Sequence, residues 1–269
     1  ISVNHWQGAT EKEPDIFSWF RNQRPIDNIG YSILIYDVER SLEGKWIGRC
    51  SDPDPLLEEE LAAKLVGMND VRHFIFECRQ SWVLPSGGSE PGWLVVPLDY
   101  EPSIPDSLFP GALSVIYENP SSPNSRPYKI YYWSGKAEAA AKLDQISGSV
   151  EVAGKELNLP IAIGGVAHFL GAASVEGKWI SAWQAHQNSN LPLSVKMHLI
   201  SEDGQRFVGD GLGFNPSQWQ TGDIFIQFLL DSDKSGQFLE TGLYNYLTAE
   251  ELLLEGTGDP VSTIRVQKP

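Results

Sequence analysis

The segment LSVKMHLI at residues 193–200 places an apolar side chain at every second position, and IFIQFLL at residues 224–230 repeats the pattern. In the first segment one face carries Leu193, Val195, Met197 and Leu199, and the other carries Ser194, Lys196 and His198. Such alternation is typical of β-strands, because residues i and i+2 of a strand share a face. Turn sequences, EDG at 202–204 and NPS at 215–217, separate these runs. The later half therefore predicts a packed antiparallel sheet.

The earlier half predicts a smaller layered domain. Strand-like segments at 31–38, 71–78, 81–84, 93–97, 113–117 and 128–133 are mixed with two amphipathic helices at 15–24 and 54–66. In the second helix Asp54 suits the N-cap position and Pro55 suits the first helical position. The composition then shifts at GKAEAAAKLDQ, residues 135–145, which predicts a helical connector. We expect a two-domain α+β protein, with a small α/β domain over 1–140 and an antiparallel β-sandwich, immunoglobulin-like or jelly-roll-like, over 141–269.

The charge balance argues against a nucleic-acid partner. The chain has 35 acidic and 20 basic side chains, which gives a formal net charge of −15. Such a surface repels phosphate backbones unless basic residues are concentrated in a patch, and none is present in the sequence. No apolar run approaches the roughly 18 residues of a membrane helix. The chain begins at Ile1, which we interpret as a matured exported protein or a region of a longer chain, and both place a segment upstream.

Two cysteines, Cys50 and Cys78, leave two alternatives open. They form one disulfide if the compartment is oxidising, or they remain two unpaired thiols. The absence of CxxC spacing argues against a zinc or thioredoxin-like site.

Motifs for metal or covalent chemistry are incomplete. The loop DSDKSG at 231–236 matches the first half of an EF-hand, but its twelfth position is Gly242 and its flanks read as strands, so a hairpin turn is favoured. The five histidines are far apart in sequence, with no HxxxH or HExxH pair, and no serine lies in GxSxG. We therefore predict no catalytic residue, no metal and no cofactor within this chain.

Aromatic residues offer a different kind of site. Trp179 and Trp183 fall on one face of a strand, as do Tyr244 and Tyr246, while Trp219 follows the NPSQ segment. Exposed rings would stack on the apolar faces of sugars, whereas buried rings would fill the sandwich core. For Trp183 we favour the core, and for Trp219 both alternatives stay open.

Several short motifs resemble a known family. These are GGVAHFLG at 164–171, EDG at 202–204, PSQWQTGD at 216–223 and GLY at 242–244. Together they resemble the sandwich domain that closes the extracytoplasmic portion of bacterial polytopic glycosyltransferases of the dolichyl-phosphate-mannose–protein mannosyltransferase type. In the first half, IGYSI at 29–33, WVLP at 82–85, WLVVP at 93–97 and LFPG at 108–111 are similar to the α/β region that precedes it. The family's usual Tyr-Asp pair reads Tyr244-Asn245 here.

The resemblance implies a role without catalysis. Such enzymes transfer a sugar from a polyprenyl-phosphate donor, using acidic residues on loops near the membrane helices. This chain contains neither those loops nor those helices. We expect a soluble, extracytoplasmic region, tethered through the membrane-embedded rest of its parent chain, that contacts glycan or the glycan acceptor. The expected ligand-binding residues are Trp219, Asp210, Tyr244 and Tyr246. The alternatives are a secreted carbohydrate-binding module and a protein-interaction domain of the cell envelope.

Overall fold

Strands and loops alternate along most of the chain. The computed structural model describes residues 1–2, 20, 24–30, 32–36, 42–68, 70–120, 126–135, 138–229, 238–256 and 260–268. Two compact units interleave along the sequence. The first contains residues 1–74, 91–101 and 113–133, and the second contains 75–90, 102–112 and 134–269. The division into domains at 1–140 and 141–269 stays a prediction.

The first unit is built on a mixed sheet. Its strands are β1 (Asp27–Ile29), β2 (Ile33–Ile35), β3 (Trp46–Cys50), β4 (Arg72–Phe76), β6 (Gly92–Pro97), β7 (Leu113–Asn119) and β8 (Tyr128–Trp133), and its helix α1 spans Glu59–Val66. The last two residues of β4 belong to the second unit. Five strands lie in the order β4-β3-β6-β8-β7, while β1 and β2 form a separate hairpin. The pair β3–β6 is parallel, and β6–β8 and β7–β8 are antiparallel.

Two expectations for the first unit are wrong in detail. The segment at 31–38 was expected to be a buried strand. Over Ile33–Ile35 it is part of the two-stranded hairpin, where Ile33 is 42% exposed. The helix expected from Asp54 begins at Glu59 instead. Residues 51–56 fold back on the end of β3, where Ser51 pairs with Pro55, so they cannot enter the helix. The helix expected at 15–24 lies almost wholly outside the described residues.

The second unit contains two antiparallel sheets. Its strands are β5 (Ser81–Leu84), β9 (Val150–Val152), β10 (Lys155–Glu156), β11 (Ile161–Ile163), β12 (Ala167–Val175), β13 (Lys178–Ala185), β14 (Leu193–Ile200), β15 (Arg206–Val208), β16 (Ile224–Phe228), β17 (Phe238–Asn245), β18 (Glu250–Glu251) and β19 (Ile264–Gln267). One sheet has the order β10-β9-β19-β17-β14-β15, with β18 also paired to β17, and the other has the order β11-β12-β13-β16-β5. Helix α2 spans Ser103–Leu108, and helix α3 spans Ala139–Ile146, which overlaps the segment predicted as a helical connector and ends one residue beyond it.

The apolar alternation that predicted the later sheets is confirmed. One face of the β14 and β17 sheet contributes Val195, Met197, Leu199, Leu239, Leu243, Ile264 and Val266, each at most 1% exposed. From the other sheet, Trp183 is fully buried, with its ring centroid 5.0 Å from that of Phe169. Trp179 and Trp219 are also buried. The chain is therefore an α+β, mostly β protein with a sandwich-like second unit.

The state of the cysteines decides between the two alternatives left by the sequence. Neither Cys50 nor Cys78 is a free thiol, since both are disulfide-bonded. The loop at 231–236, which matches the first half of an EF-hand, lies outside the described residues, and the elements on either side, β16 and β17, are strands as predicted.

We predict that Trp183→Ala lowers the free energy of unfolding by about 3–5 kcal/mol, because it removes a fully buried ring and leaves a cavity. The variant also removes the indole N–H that donates to Ser181 Oγ at 2.9 Å. Urea denaturation measures the loss. Val208→Ala, at a side chain 63% exposed, serves as the control and changes stability by no more than about 0.5 kcal/mol. Equal effects of the two substitutions would contradict the assignment of Trp183 to the core.

Candidate functional site

The outer face of the β14–β17 pair carries polar side chains that are largely withdrawn from solvent. In the register of this pair Ser194 lies opposite Tyr244, and His198 lies opposite Glu240. Cross-strand partners share a face, so these side chains form a polar surface behind the apolar core. Ser194 and Lys196 are buried and His198 is half-buried, so this polar face of β14 is covered rather than solvated.

Asp210 organises one end of this face. Its Oδ1 accepts the backbone N–H of Met197 at 2.8 Å and lies 3.2 Å from His198 Nε2. Its Oδ2 accepts the hydroxyl of Tyr244 at 3.1 Å. We call Ser194, His198, Asp210 and Tyr244 the Asp210 cluster. Because the Met197 N–H and the Tyr244 hydroxyl both donate to this one carboxylate, Asp210 holds the segment after β15 against the sheet, which suits a positioning role better than proton transfer.

Tyr244 acts as a neutral donor in the Asp210 cluster. Burial raises the pKa of the Tyr244 hydroxyl, and the negative charge of Asp210 raises it further, against the lowering effect of a hydrogen bond from Ser194. A phenol with a raised pKa keeps its proton at neutral pH. Tyr244 therefore remains a donor to Asp210 and is not an activated phenolate.

An ion pair between a buried lysine and a partly exposed glutamate lies beside this cluster. Lys196 Nζ donates to Glu251 Oε1 at 2.6 Å and to Thr263 Oγ1 at 2.5 Å. Gly242 makes the approach possible, because a Cβ at that position would lie 2.5 Å from the carbonyl oxygen of Ser262. The segment carrying Ser262 and Thr263 can therefore cross closely over the sheet. Burial acts to raise the pKa of Glu251, but hydrogen bonds from Lys196 and Ser262 and the positive charge of Lys196 outweigh it, so the pKa is lowered.

An open depression lies at the end of β14 and β17, where Tyr246 N–H donates to Pro192 O at 2.9 Å. It has a volume of about 410 Å³. We call it the Tyr246 depression, and its lining residues are Ser189, Asn190, Leu191, Pro192, Leu193, Leu212, Asn215, Pro216, Ser217 and Tyr246. None of these carries a charge. Tyr246 is 58% exposed and Leu191 is 48% exposed, so an aromatic and an aliphatic side chain are presented to solvent.

Amide side chains complete the wall of the depression. Asn215 Oδ1 accepts the N–H of Ser217 at 3.0 Å and its hydroxyl at 2.9 Å, which orients the amide at the start of a short 3-10 helix. Among the described residues, the amide nitrogen of Asn215 has no protein partner, and neither has the side chain of Asn190. Both amides are exposed. The depression therefore combines an aromatic ring with free amide donors and acceptors.

The structure sorts the four expected ligand-binding residues into three groups. Asp210 and Tyr244 are in direct hydrogen-bond contact in the Asp210 cluster. Tyr246 lies two residues beyond Tyr244, in the turn that follows β17, and lines the depression. Trp219 is 2% exposed, stacks on Phe225 at 4.8 Å and donates its indole N–H to Phe214 O, so the expectation that it contacts a ligand is wrong.

Asn190, Leu191 and Asn215 were missed by the sequence reasoning. Asn215 was visible only as part of a turn, and the loop SNLP at 189–192 carried no periodic signal. Polar loop residues become recognisable as a site only when the fold brings separate loops together around an exposed ring.

Comparison with known proteins adds no relative: no family model, curated protein or solved structure matches this chain. None of the helices in the described ranges combines the length and the apolar character that a bilayer crossing requires. The resemblance to glycosyltransferases thus rests on the motifs alone.

We predict that the stabilising effect of Glu251 depends on pH. Its pKa is lowered in the folded state, so its contribution is present above the unfolded-state pKa of about 4.3 and is lost as the pH falls through the folded-state value. The thermal midpoint of Glu251→Gln should lie below that of the unsubstituted protein at pH 7, and the difference should shrink below about pH 4. The neighbouring exposed Glu250→Gln makes the same charge change as a control. If the thermal midpoints of the unsubstituted protein and of Glu251→Gln differ by the same amount from pH 3 to pH 7, the prediction is contradicted.

Proposed function

We propose that this chain is the non-catalytic, extracytoplasmic region of a membrane glycosyltransferase and that it contacts glycan or the glycan acceptor at the Tyr246 depression. The observation that carries the binding role is the exposed Tyr246 ring beside the free amides of Asn190 and Asn215. An aromatic face covers the C–H face of a sugar ring, and amides exchange hydrogen bonds with its hydroxyls. The motif resemblance supports the parent enzyme class.

The uncharged lining of the depression favours a neutral sugar. A carboxylated, sulfated or phosphorylated glycan would bring a negative charge to a site without a cationic side chain, on a chain of formal net charge −15. Such a ligand would lose hydration without gaining an ion pair. We therefore expect hexoses or N-acetylhexosamines to bind better than their anionic counterparts.

The Asp210 cluster supports this site indirectly. Gly211 exchanges two backbone hydrogen bonds with Val195, and Leu212 then reaches the wall of the depression. Asp210 precedes Gly211 and accepts hydrogen bonds from Met197 of β14 and from Tyr244. These bonds hold the wall of the depression in place before a ligand arrives. A preorganised wall reduces the entropy lost on binding.

A secreted carbohydrate-binding module is the alternative that the same depression supports. The gene sequence upstream of Ile1 separates the two. Eight or more segments of about 20 apolar residues would favour the glycosyltransferase, whereas a single signal peptide would favour the secreted module.

We predict that Tyr246→Ala weakens binding of neutral manno- and gluco-oligosaccharides about 5- to 10-fold, because it removes the stacking face. Isothermal titration calorimetry with the whole chain measures the affinity. Tyr246→Phe keeps the ring and should retain most of the binding. Thermal midpoints should stay unchanged in both variants, since the side chain is exposed.

The adjacent Leu247→Ala is the matched control, because Leu247 is 74% exposed but does not line the depression. Binding that is absent from the unsubstituted chain, or that survives Tyr246→Ala at full strength, would overturn the proposed site.

A further inference from the structure

Two histidines that are 18 residues apart in sequence meet on the β12–β13 hairpin. His168 lies on β12 directly opposite Gln184, and His186 lies two residues beyond Gln184. The two imidazole rings have their centroids 5.5 Å apart, at an interplanar angle of 80°. His168 is half-buried and His186 is exposed, so solvent reaches the pair. This pair lies outside both the Asp210 cluster and the Tyr246 depression.

The separation of the rings fits a shared metal ion. A zinc–nitrogen distance of about 2.0–2.1 Å, with each nitrogen roughly 1.1 Å from its ring centroid, places two imidazoles on a tetrahedral ion with centroids about 5.2 Å apart. The observed 5.5 Å is within the range of a small side-chain rotation. Either ring nitrogen can serve as the ligand, so each ring has two ways to face a shared ion.

The backbone around His186 is held in place. Its N–H donates to Val166 O at 2.8 Å, and its carbonyl oxygen accepts the hydroxyl of Thr221 at 2.8 Å. One residue before Val166, Gly165 N–H donates to the carboxylate of Glu255 at 2.7 Å, which adds a negative charge to this end of the hairpin. A rigid backbone and a nearby anion both favour capture of a cation.

We propose that His168 and His186 form a two-histidine site for a divalent transition-metal ion of the Zn²⁺, Ni²⁺ and Cu²⁺ class. Neutral imidazole suits these ions, whereas Ca²⁺ and Mg²⁺ require oxygen ligands that the pair does not offer. His186 lies at the surface, so water can complete the coordination of such an ion. The site shares no residue with the proposed glycan site, so each is tested independently.

Isothermal titration calorimetry of the whole chain with ZnCl₂ and, separately, with NiCl₂ at pH 7.5 tests the proposal. We expect one saturable site per chain, and His168→Gln and His186→Gln should each weaken it about 10-fold or more, because chelation by two ligands depends on both. The double variant should bind no more weakly than the weaker single variant, since either change alone already ends chelation. Zn²⁺ should raise the thermal midpoint of the unsubstituted chain and not of the variants.

His73→Gln, in the first unit, is the matched control and should leave the affinity unchanged. The glutamine replacements keep size and polarity, and circular dichroism confirms that each variant is folded. Absence of saturable binding up to 1 mM metal, or equal affinity of His168→Gln and the unsubstituted chain, would overturn the site. Binding of Mg²⁺ or Ca²⁺ in preference to Zn²⁺ would also contradict it.

Discussion

The antiparallel pairing of β14 with β17 is the constraint on which the second unit depends. Eight residues of Leu193–Ile200 pair with eight of Phe238–Asn245. This single register sends one set of side chains into a core that is almost completely buried and places Ser194, Lys196 and His198 on the opposite face. A shift of one residue would exchange the two sets, which the burial of so many apolar side chains opposes.

The same register builds the candidate site. Because Ser194 lies opposite Tyr244, the phenol is in reach of Asp210, and the carboxylate in turn fixes the segment that leads to the Tyr246 depression. The polar outer face is stable although it is covered, because Lys196 meets Glu251 and Thr263, and Asp210 accepts hydrogen bonds from the Met197 N–H and the Tyr244 hydroxyl. Buried polar groups cost little when each is paired.

Elements with a strong local pattern lie where the sequence predicts them, and elements whose limits depend on distant contacts do not. Two strands predicted from alternation and β-branched or aromatic content, Ser81–Leu84 and Tyr128–Trp133, have the predicted bounds. The helix expected from Asp54 starts at Glu59 because the pairing of Ser51 with Pro55 outweighs a good capping sequence. The apolar segment containing Ile33–Ile35 was expected to be buried, but apolar content shows what a residue prefers and not whether a second layer covers it.

The sequence by itself determined the class of structure, because the alternation over residues 193–200 and 224–228 specifies strands with one apolar face. It also determined the sign of the net charge, since 35 acidic residues outnumber 20 basic ones. Only the tertiary structure decided which aromatic rings are buried, since Trp219 and Tyr246 both follow polar segments yet are 2% and 58% exposed. It also decided that His168 and His186 are neighbours. Contacts between distant segments depend on strand order and register, and these arise from the packing of the whole sheet rather than from any local stretch of residues.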